Sequence, residues 1–271
     1  MDLELQGKRA CITGASLGIG LAVAEALATE GVDLFLCARD EPRLKEAGTA
    51  IVTRHGVAVH IVRCDVTSTQ DVAILAGRVA DEGGVDILVN NAGAGSQETI
   101  MDAPDERWQS YWDLHVMAAV RLVRSLVPGM RARGGGAIID NASICARQPL
   151  DYEPIYNVTK AALAMFSKCL ANERVGDGIL VNAANAGLIL TPDWRRTARE
   201  LGRPGGQTAD EYLDTIARDF APIGRFGSPA EIADFIVFLC SPRSSYCVGG
   251  TYSVDGGALK VTNCADPGGR P

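Results

Sequence analysis

The stretch ITGASLGIG, residues 12–20, places three glycines between an apolar run and a helical pattern. The apolar run RACIT (9–13) leads into it, and the helical pattern GLAVAEALATEG (20–31) follows. Gly14, Gly18 and Gly20 are therefore predicted to form a strand-to-helix turn. Glycine is favoured in such a turn when the backbone needs a positive φ, or when it comes closer to a neighbour than a Cβ allows.

Further apolar runs continue the same alternation along the chain. They cover residues 32–38, 57–65, 85–91, 136–143, 179–187 and 251–257. Several are nearly continuous in apolar residues, which is typical of parallel strands covered on both faces. Helical spacing separates them at 69–84, 108–135, 156–178 and 228–242.

This order predicts a single α/β domain with a doubly wound parallel sheet, the Rossmann fold. The polar stretch 192–222 interrupts the alternation and is interpreted as an inserted substrate lid. The last residues, 262–271, are predicted to be a loose tail.

The charge and composition of the chain narrow its partners. Its 26 basic and 33 acidic residues give a net charge of −7, which provides no general attraction for nucleic acid or an anionic membrane. Small molecules and further copies of the chain are the expected partners. The eight cysteines contain no C-x-x-C pair, so neither a metal site nor a disulfide framework is expected. The N-terminus is too polar for a signal peptide and no apolar run is long enough to span a membrane, so the cytoplasm is the expected location.

The fold suggests what the glycine turn binds. In a doubly wound sheet the ligand lies at the carboxyl ends of the strands, and the first strand-to-helix turn receives the pyrophosphate of a dinucleotide. The spacing here is Gly-x-x-x-Gly-x-Gly, which differs from the commoner G-x-G-x-x-G. By itself this motif also fits a glycine-rich turn that binds no ligand.

Two further motifs resolve this ambiguity. The segment TGASLGIG, followed by NNAG (90–93) and YNVTK (156–160), resembles the short-chain dehydrogenase/reductase family from about residue 5 to about residue 259. The resemblance implies an oxidoreductase that transfers a hydride between a nicotinamide and a ketone or secondary alcohol. It also implies a homotetramer or homodimer. A non-redox lyase of the same fold and a silent dinucleotide-binding regulator are the alternatives.

Three residues are the candidate catalytic group. Tyr156 and Lys160 lie four apart and share one helix face, so the ammonium is expected to lower the pKa of the phenol. Tyr156 is then the general acid in reduction and the general base in oxidation. The resemblance implies that Lys160 also binds the nicotinamide ribose. Ser143, at the end of a predicted strand, is expected to stabilise charge on the substrate oxygen.

His115 departs from the family pattern. The resemblance places an asparagine here, 24 residues after Asn91, which holds a water that links the lysine to a proton relay. An imidazole could replace it, because a neutral ring has one donor and one acceptor nitrogen. The alternative is a buried histidine bonded to a backbone carbonyl, with no catalytic part.

The end of the second strand suggests the choice of cofactor. An acid that would hold the 2′-hydroxyl of NAD is missing at Ala38, whereas Arg39 could pair with a 2′-phosphate and Ser16 could add a hydrogen bond. NADP(H) is therefore expected, with NAD as the alternative because Asp40 is adjacent. The family match implies a wider cofactor-binding set: Gly14, Ser16, Gly18, Ile19, Gly20, Arg39, Asp65, Val66, Asn91, Ala92, Gly93, Tyr156, Lys160, Gly187, Ile189 and Thr191.

A mostly apolar substrate pocket is expected over the nicotinamide. Its predicted members are Gly95, Cys145, Ala146, Arg147, Tyr152, Leu188 and Trp194. Such a wall favours a ketone or alcohol with a hydrophobic body. Arg147, with Arg195 and Arg196, either binds a carboxylate or phosphate or is simply solvated.

Overall fold

The computed structural model describes residues 1–150, 153–201 and 206–260. Seven parallel strands form one sheet in the order β3-β2-β1-β4-β5-β6-β7. Their bounds are β1 Arg9–Thr13, β2 Asp33–Ala38, β3 Val59–Arg63, β4 Ile87–Asn90, β5 Gly136–Ser143, β6 Ile179–Ala186 and β7 Thr251–Val254. Each lies within a predicted apolar run.

Helices cover both faces of this sheet. They are α1 Gly18–Thr29, α2 Glu41–His55, α3 Thr69–Asp81, α4 Asp105–Trp112, α5 Ala118–Ala132, α6 Pro154–Arg174, α7 Pro192–Leu201, α8 Ala209–Phe220 and α9 Pro229–Cys240. A π-helical segment, Asp113–Met117, joins α4 to α5. None of the described helices is both long and apolar enough to cross a bilayer.

The core has two layers because successive strand residues point to opposite faces. Ile12 packs with α1 and α9 on one face, whereas its neighbour Cys11 packs with α3, α5 and α6 on the other. Both residues are fully buried. This two-sided burial explains the continuous apolar strands and confirms the predicted doubly wound fold.

The strand order places the site. The chain runs outward from β1 through β2 to β3, then returns to pair β4 with the other edge of β1. The crevice between β1 and β4, at the carboxyl ends of the strands, is therefore the position where this architecture binds ligands. The glycine turn and the end of β5 both lie at this edge.

Three elements differ from the sequence-based expectation. The sequence pattern missed α2, although Asp40 caps its first turn, Pro42 lies in that turn and Gly56 ends it in the left-handed region. The run 108–135 is divided into α4, the π-helical segment and α5. The stretch 192–222, predicted as a lid, contains α7 and α8, while the predicted tail 262–271 lies outside the described residues.

Candidate active site

The glycine turn has the backbone that its sequence predicts. Gly14 has a φ of 65° and Gly18 a φ of 60°, both in the region that favours glycine. A Cβ on Gly20 would lie 2.4 Å from both the Gly14 carbonyl oxygen and Asn91 Nδ2. Helix α1 starts from Leu17 without a side-chain cap and has no acidic residue in its first turn. Its first N–H groups are thus available to an anion.

Asn91 holds the ends of three strands together beneath this turn. Its backbone N–H donates to Thr13 Oγ1 at 2.9 Å, and its Nδ2 donates to the Thr13 carbonyl at 2.8 Å. Its Oδ1 accepts from Asn141 Nδ2 at 2.8 Å. Ala92 N–H shares Thr13 Oγ1 as acceptor at 3.0 Å. Asn91, predicted as a cofactor residue, therefore fixes β1, β4 and β5 in the positions that shape the crevice.

The structure brings Ser143, Tyr156 and Lys160 together. Ser143 ends β5, while the other two lie one turn apart on α6. Tyr156 packs against Ile144 and Cys145, which directly follow Ser143. Lys160 Nζ lies 5.5 Å from the Tyr156 ring centroid and donates to the Asn141 carbonyl at 2.7 Å. Three predicted side chains from separate parts of the sequence thus form one cluster.

The electrostatics of Tyr156 differ from the expectation. Burial raises the pKa of Tyr156 above its ordinary value, and the charges of Cys145 and Glu153 raise it further. The nearby Ser143 hydroxyl lowers the pKa of Tyr156, but burial has the larger effect. The prediction that Lys160 lowers the pKa of the Tyr156 phenol was wrong, because burial dominates and raises it. Such a phenol stays protonated at neutral pH, the form needed by a proton donor.

Lys160 is in an unusual position for an ammonium group. Burial lowers the pKa of Lys160 to about 8, while Cys145 and Asp140 oppose this shift. Asp140, on β5, accepts from Asn90 Nδ2 at 2.8 Å and is fully buried. Burial raises the pKa of the Asp140 carboxyl to about 6. Sequence reasoning missed Asp140, although a carboxylate within an apolar strand was a signal that could have found it.

His115 lies in the π-helical segment, beside the cluster of Ser143, Tyr156 and Lys160. Its ring is 5.5 Å from that of Tyr156 at an interplanar angle of 85°. Nδ1 is 2.8 Å from Thr159 Oγ1, and Nε2 accepts from the Ala94 N–H at 3.2 Å. The backbone partner is an N–H group, whereas the sequence-based alternative was a carbonyl. Burial lowers the pKa of His115 well below its usual value, and the charge of Lys160 adds to this.

The residues predicted to choose the cofactor follow β1 and β2. Arg39 is exposed and makes no ion pair within the described part of the chain. Asp40 accepts from Arg43 N–H at 3.1 Å as the N-cap of α2. Asp40 was the reason to keep NAD as an alternative, and its carboxylate is thus already used in capping this helix. Ser16 is buried in the glycine turn.

Two predicted adenine contacts follow β3. Asp65 accepts from the Thr67 N–H at 3.0 Å and the Thr67 hydroxyl at 2.8 Å, which shapes the turn before α3. Val66 is buried in the core cluster beneath that turn. Both residues therefore lie in the turn after β3, where Asp65 bonds to Thr67 and Val66 packs in the core.

The remaining predicted cofactor residues follow β6, on the other side of the crevice from the β2 end. Gly187 allows a close approach, because a Cβ there would lie 2.5 Å from Asp255 Cα. Ile189 is buried in the core, whereas Thr191 Oγ1 accepts from the Trp194 N–H at 3.4 Å at the start of α7. The Trp194 ring packs edge-on against Phe226 at 5.2 Å. These contacts fix the base of the predicted lid.

The predicted substrate residues do not all line one space. Cys145 and Leu188 are buried, while Ala146 is half-buried beside them. Arg147 lines a separate cavity of about 370 Å³ at the β7 edge, with Phe235 and Tyr252 among its neighbours. Tyr152 lies outside the described residues.

Sequence reasoning also missed Glu153 at this site. An added Cβ on Gly95 would lie 3.5 Å from Glu153 Oε1, and the Glu153 charge acts on both Cys145 and Tyr156. Burial raises the pKa of this carboxyl to about 7. The pocket therefore contains a carboxyl that titrates near neutral pH, as well as its apolar wall. Its place three residues before Tyr156 was the available signal.

Comparison with known proteins agrees with this geometry. A family model described as Enoyl-(Acyl carrier protein) reductase matches residues 14–258, and many curated relatives carry short-chain dehydrogenase/reductase names. The chain belongs to the short-chain dehydrogenase/reductase family. This confirms the predicted family and the oxidoreductase class.

Three relatives illustrate the range of this family. The crystal structure of L-sorbose reductase from Gluconobacter frateurii, complexed with NADPH and L-sorbose, has a TM-score of 0.95 and 59% identity, covering 97% of this chain and 100% of that chain. An NADPH-bound short chain oxidoreductase from Pseudomonas aeruginosa, described as containing an atypical catalytic center, has a TM-score of 0.86 and 32% identity, covering 94% and 98%. Galactitol 2-dehydrogenase from Agrobacterium fabrum is 33% identical over 257 residues, which cover 94% of this chain and 98% of that protein.

Proposed function

We propose that this short-chain dehydrogenase/reductase reduces the carbonyl group of a polyhydroxylated substrate, such as a ketose, with NADPH as the reductant. The observation that carries the proposal is the cluster of Ser143, Tyr156 and Lys160 beside the glycine turn. The reverse reaction, oxidation of a secondary alcohol, uses the same groups. Substrate-dependent consumption of NADPH distinguishes this proposal from the non-redox lyase and from the silent regulator.

The residues present fit a dinucleotide phosphate. The backbone of Gly14 and Gly18 leaves the first N–H groups of α1 open, and Gly20 permits the tight packing behind them. Arg39 is an exposed cation at the end of β2 that can pair with a 2′-phosphate. The NADPH in both related structures agrees with the NADP(H) predicted from the sequence. When bound, the nicotinamide supplies the hydride.

The protein residues supply the proton and stabilise charge. The Ser143 hydroxyl donates a hydrogen bond to the substrate oxygen as negative charge develops there. Tyr156 donates its proton to the same oxygen in reduction, and accepts it in oxidation. Protonated Lys160 stabilises the resulting phenolate across the 5.5 Å that separates Nζ from the ring. The raised pKa of Tyr156 keeps the proton on the phenol until this step.

Glu153 supports the polyhydroxylated class of substrate. A carboxyl with a pKa of about 7 can accept a hydrogen bond from a substrate hydroxyl or, when protonated, donate one. The two relatives named for L-sorbose and galactitol are consistent with this role. The polar group argues against the fully hydrophobic substrate body that the apolar wall suggested. We also propose that the segment 192–222 acts as the lid, since Trp194 lies at its start.

The test is consumption of NADPH, followed by absorbance, with a panel of ketoses, simple ketones and sugar alcohols. We expect activity with ketoses and a loss of about 10²- to 10⁴-fold in kcat for Tyr156→Phe. Tyr246→Phe is the matched control, because Tyr246 is fully exposed. No turnover on the panel would refute the reductase proposal. Retention of most activity by Tyr156→Phe would refute the role of Tyr156.

Assembly and location stay predictions. We propose a homodimer or homotetramer, supported by exposed apolar side chains on α4 and α6: Trp112, Val158 and Met165. We also place the protein in the cytoplasm, where its free thiols, including buried Cys11, Cys37 and Cys64, stay reduced. Cell fractionation tests the location.

A further inference from the structure

The loop Gly93–Gly95, which follows β4, forms part of the active-site wall. An added Cβ on Gly93 would lie 3.2 Å from His115 Nε2 and 3.5 Å from Lys160 Nζ. Gly93 therefore lies beside both His115 and Lys160. Any displacement of this loop changes the space beside the reacting groups.

His115 connects this loop to helix α6. Thr159 Oγ1 lies 2.9 Å from the Ile155 carbonyl, to which it donates its single hydrogen. The same oxygen therefore accepts from the ring, which assigns the imidazole proton to Nδ1 at 2.8 Å. Nε2 is then the acceptor for the Ala94 N–H at 3.2 Å. Donor and acceptor accounting thus gives one neutral tautomer with a protein partner on each nitrogen.

Tyr111 holds the next residue of the loop from the same helix. Its side chain is buried, and its hydroxyl donates to the Gly95 carbonyl. That hydroxyl accepts from Arg107 Nη2 at 3.3 Å, and the guanidinium lies 4.9 Å from the tyrosine ring centroid. Arg107 also pairs with Glu98, further along the loop. The aromatic rings of Tyr111 and His115 meet edge-on at 5.5 Å.

These contacts form a regular arrangement. Arg107, Tyr111 and His115 are spaced four residues apart, so they project from one side of α4 and the π-helical segment. They contact Glu98, Gly95 and Ala94 in turn. A single helix face therefore fixes the loop along its length, and the His115–Thr159 contact connects it to the helix that carries Tyr156 and Lys160.

We propose that Tyr111 and His115 are positioning residues that clamp the Gly93–Gly95 loop against α6, and that His115 transfers no proton in the reaction. A relay needs a ring nitrogen free to exchange a proton with water, and both nitrogens here have protein partners. Burial and the charge of Lys160 also lower the pKa of His115, which disfavours a charged imidazolium intermediate. The proposal rests on the proposed reductase activity for its kinetic test only.

The kinetic test compares Tyr111→Phe, His115→Ala and the double variant. A lost neutral hydrogen bond is worth about 1 kcal/mol, so Tyr111→Phe is expected to lower kcat/KM about fivefold. His115→Ala loses two contacts and is expected to lower it by about tenfold or more. The double variant should lose less than the product of the single effects, because both residues hold one loop. We expect the changes mainly in KM, with the pH dependence of kcat unmoved.

A second measurement does not depend on turnover. Amide hydrogen exchange of Ala94 should accelerate in His115→Ala, and exchange in this loop should also accelerate in Tyr111→Phe. Tyr246→Phe is the control for both experiments. Unchanged exchange in the loop would overturn the clamp, even if no substrate were found. A displaced pH profile, or a loss of kcat above about 100-fold in His115→Ala with unchanged exchange, would restore the relay.

Discussion

The most informative single residue is Asp140, a carboxyl that lies within the sheet. It is fully buried and precedes Asn141, whose carbonyl accepts from Lys160 Nζ. Its Oδ1 accepts from Asn90, whereas its Oδ2 has no hydrogen-bond partner among the described residues. A buried carboxylate with so few partners is costly to ionise, which is why burial raises the pKa of Asp140 to about 6. When ionised, Asp140 favours the protonated form of Lys160, the proposed catalytic lysine.

The charged and titratable groups around Lys160 act in opposite directions. Asp140 and Cys145 raise the pKa of its ammonium, and burial lowers it to about 8. The charge of Lys160 in turn lowers the pKa of His115. Tyr156 adds an aromatic face 5.5 Å from Nζ. Among these groups Asp140 is the one that carries a full negative charge above its own pKa of about 6.

Removing this charge should move the alkaline limb of the pH profile. In Asp140→Asn the pKa of Lys160 falls, so the protonated lysine and kcat/KM for reduction are lost at lower pH than in the native enzyme. The two profiles should converge below about pH 6, where Asp140 is itself protonated. The measurement is kcat/KM from pH 5 to pH 10, with exposed Asp234→Asn as the control. A uniform loss at every pH would assign Asp140 a structural role only.

At the scale of elements, the glycine turn depends on two kinds of glycine. Gly14 and Gly18 are required for their positive φ, whereas Gly20 is required by its neighbours. The carbonyl of Gly14 and the amide of Asn91 occupy the space where a Cβ of residue 20 would be. All three glycines therefore shape the same turn, two through a positive φ and one through the close approach of its neighbours.

Gly20→Ala should damage both the turn and cofactor binding. The clash at 2.4 Å involves backbone, which cannot move away at low cost, so β1 and α1 must separate. We expect lower stability by about 1–3 kcal/mol, typical of overpacking, and weaker NADPH binding. Gly77→Ala on α3 is the matched control, because nothing lies within 4 Å of its added Cβ and helix propensity predicts a gain of about 0.5–1 kcal/mol. Chemical unfolding and NADPH fluorescence titration measure both effects, and equal behaviour of the two variants would contradict the argument.

At the scale of the whole molecule, three of the exposed large apolar side chains lie on the helices beside the site. Val158 and Met165 on α6 are 50% and 65% exposed, and Trp112 on α4 is 39% exposed. Their burial against a second copy would remove apolar surface from water. Helix α6 also carries Tyr156 and Lys160, and α4 carries Tyr111 of the proposed clamp, so assembly would also stabilise the proposed site.

Met165→Glu tests this surface. A charge in a buried interface between copies should shift the protein toward a smaller assembly, measured by light scattering after size-exclusion chromatography. Ile74→Glu, at a 53% exposed position on α3, is the control and should leave the assembly unchanged. An unchanged mass for Met165→Glu, or a monomeric native protein, would contradict an interface at this position.

The sequence by itself determined the architecture and most of the site. Continuous apolar strands and intervening helical periods gave the doubly wound sheet, because burial on both faces leaves a pattern in the sequence. The spacing of Tyr156 and Lys160 placed both on one helix face, since four residues make about one turn. Ser143 was located by its place at the end of a strand.

Only the tertiary structure decided what surrounds those groups. The raised pKa of Tyr156, the partners of both His115 nitrogens, and the effect of Asp140 on the pKa of Lys160 depend on residues far apart in the sequence. Desolvation and hydrogen-bond accounting are properties of a folded environment, and neither is written in the spacing of residues along the chain. The sequence could therefore indicate the reacting groups, whereas packing sets their protonation states and fixes the loop that lies beside them.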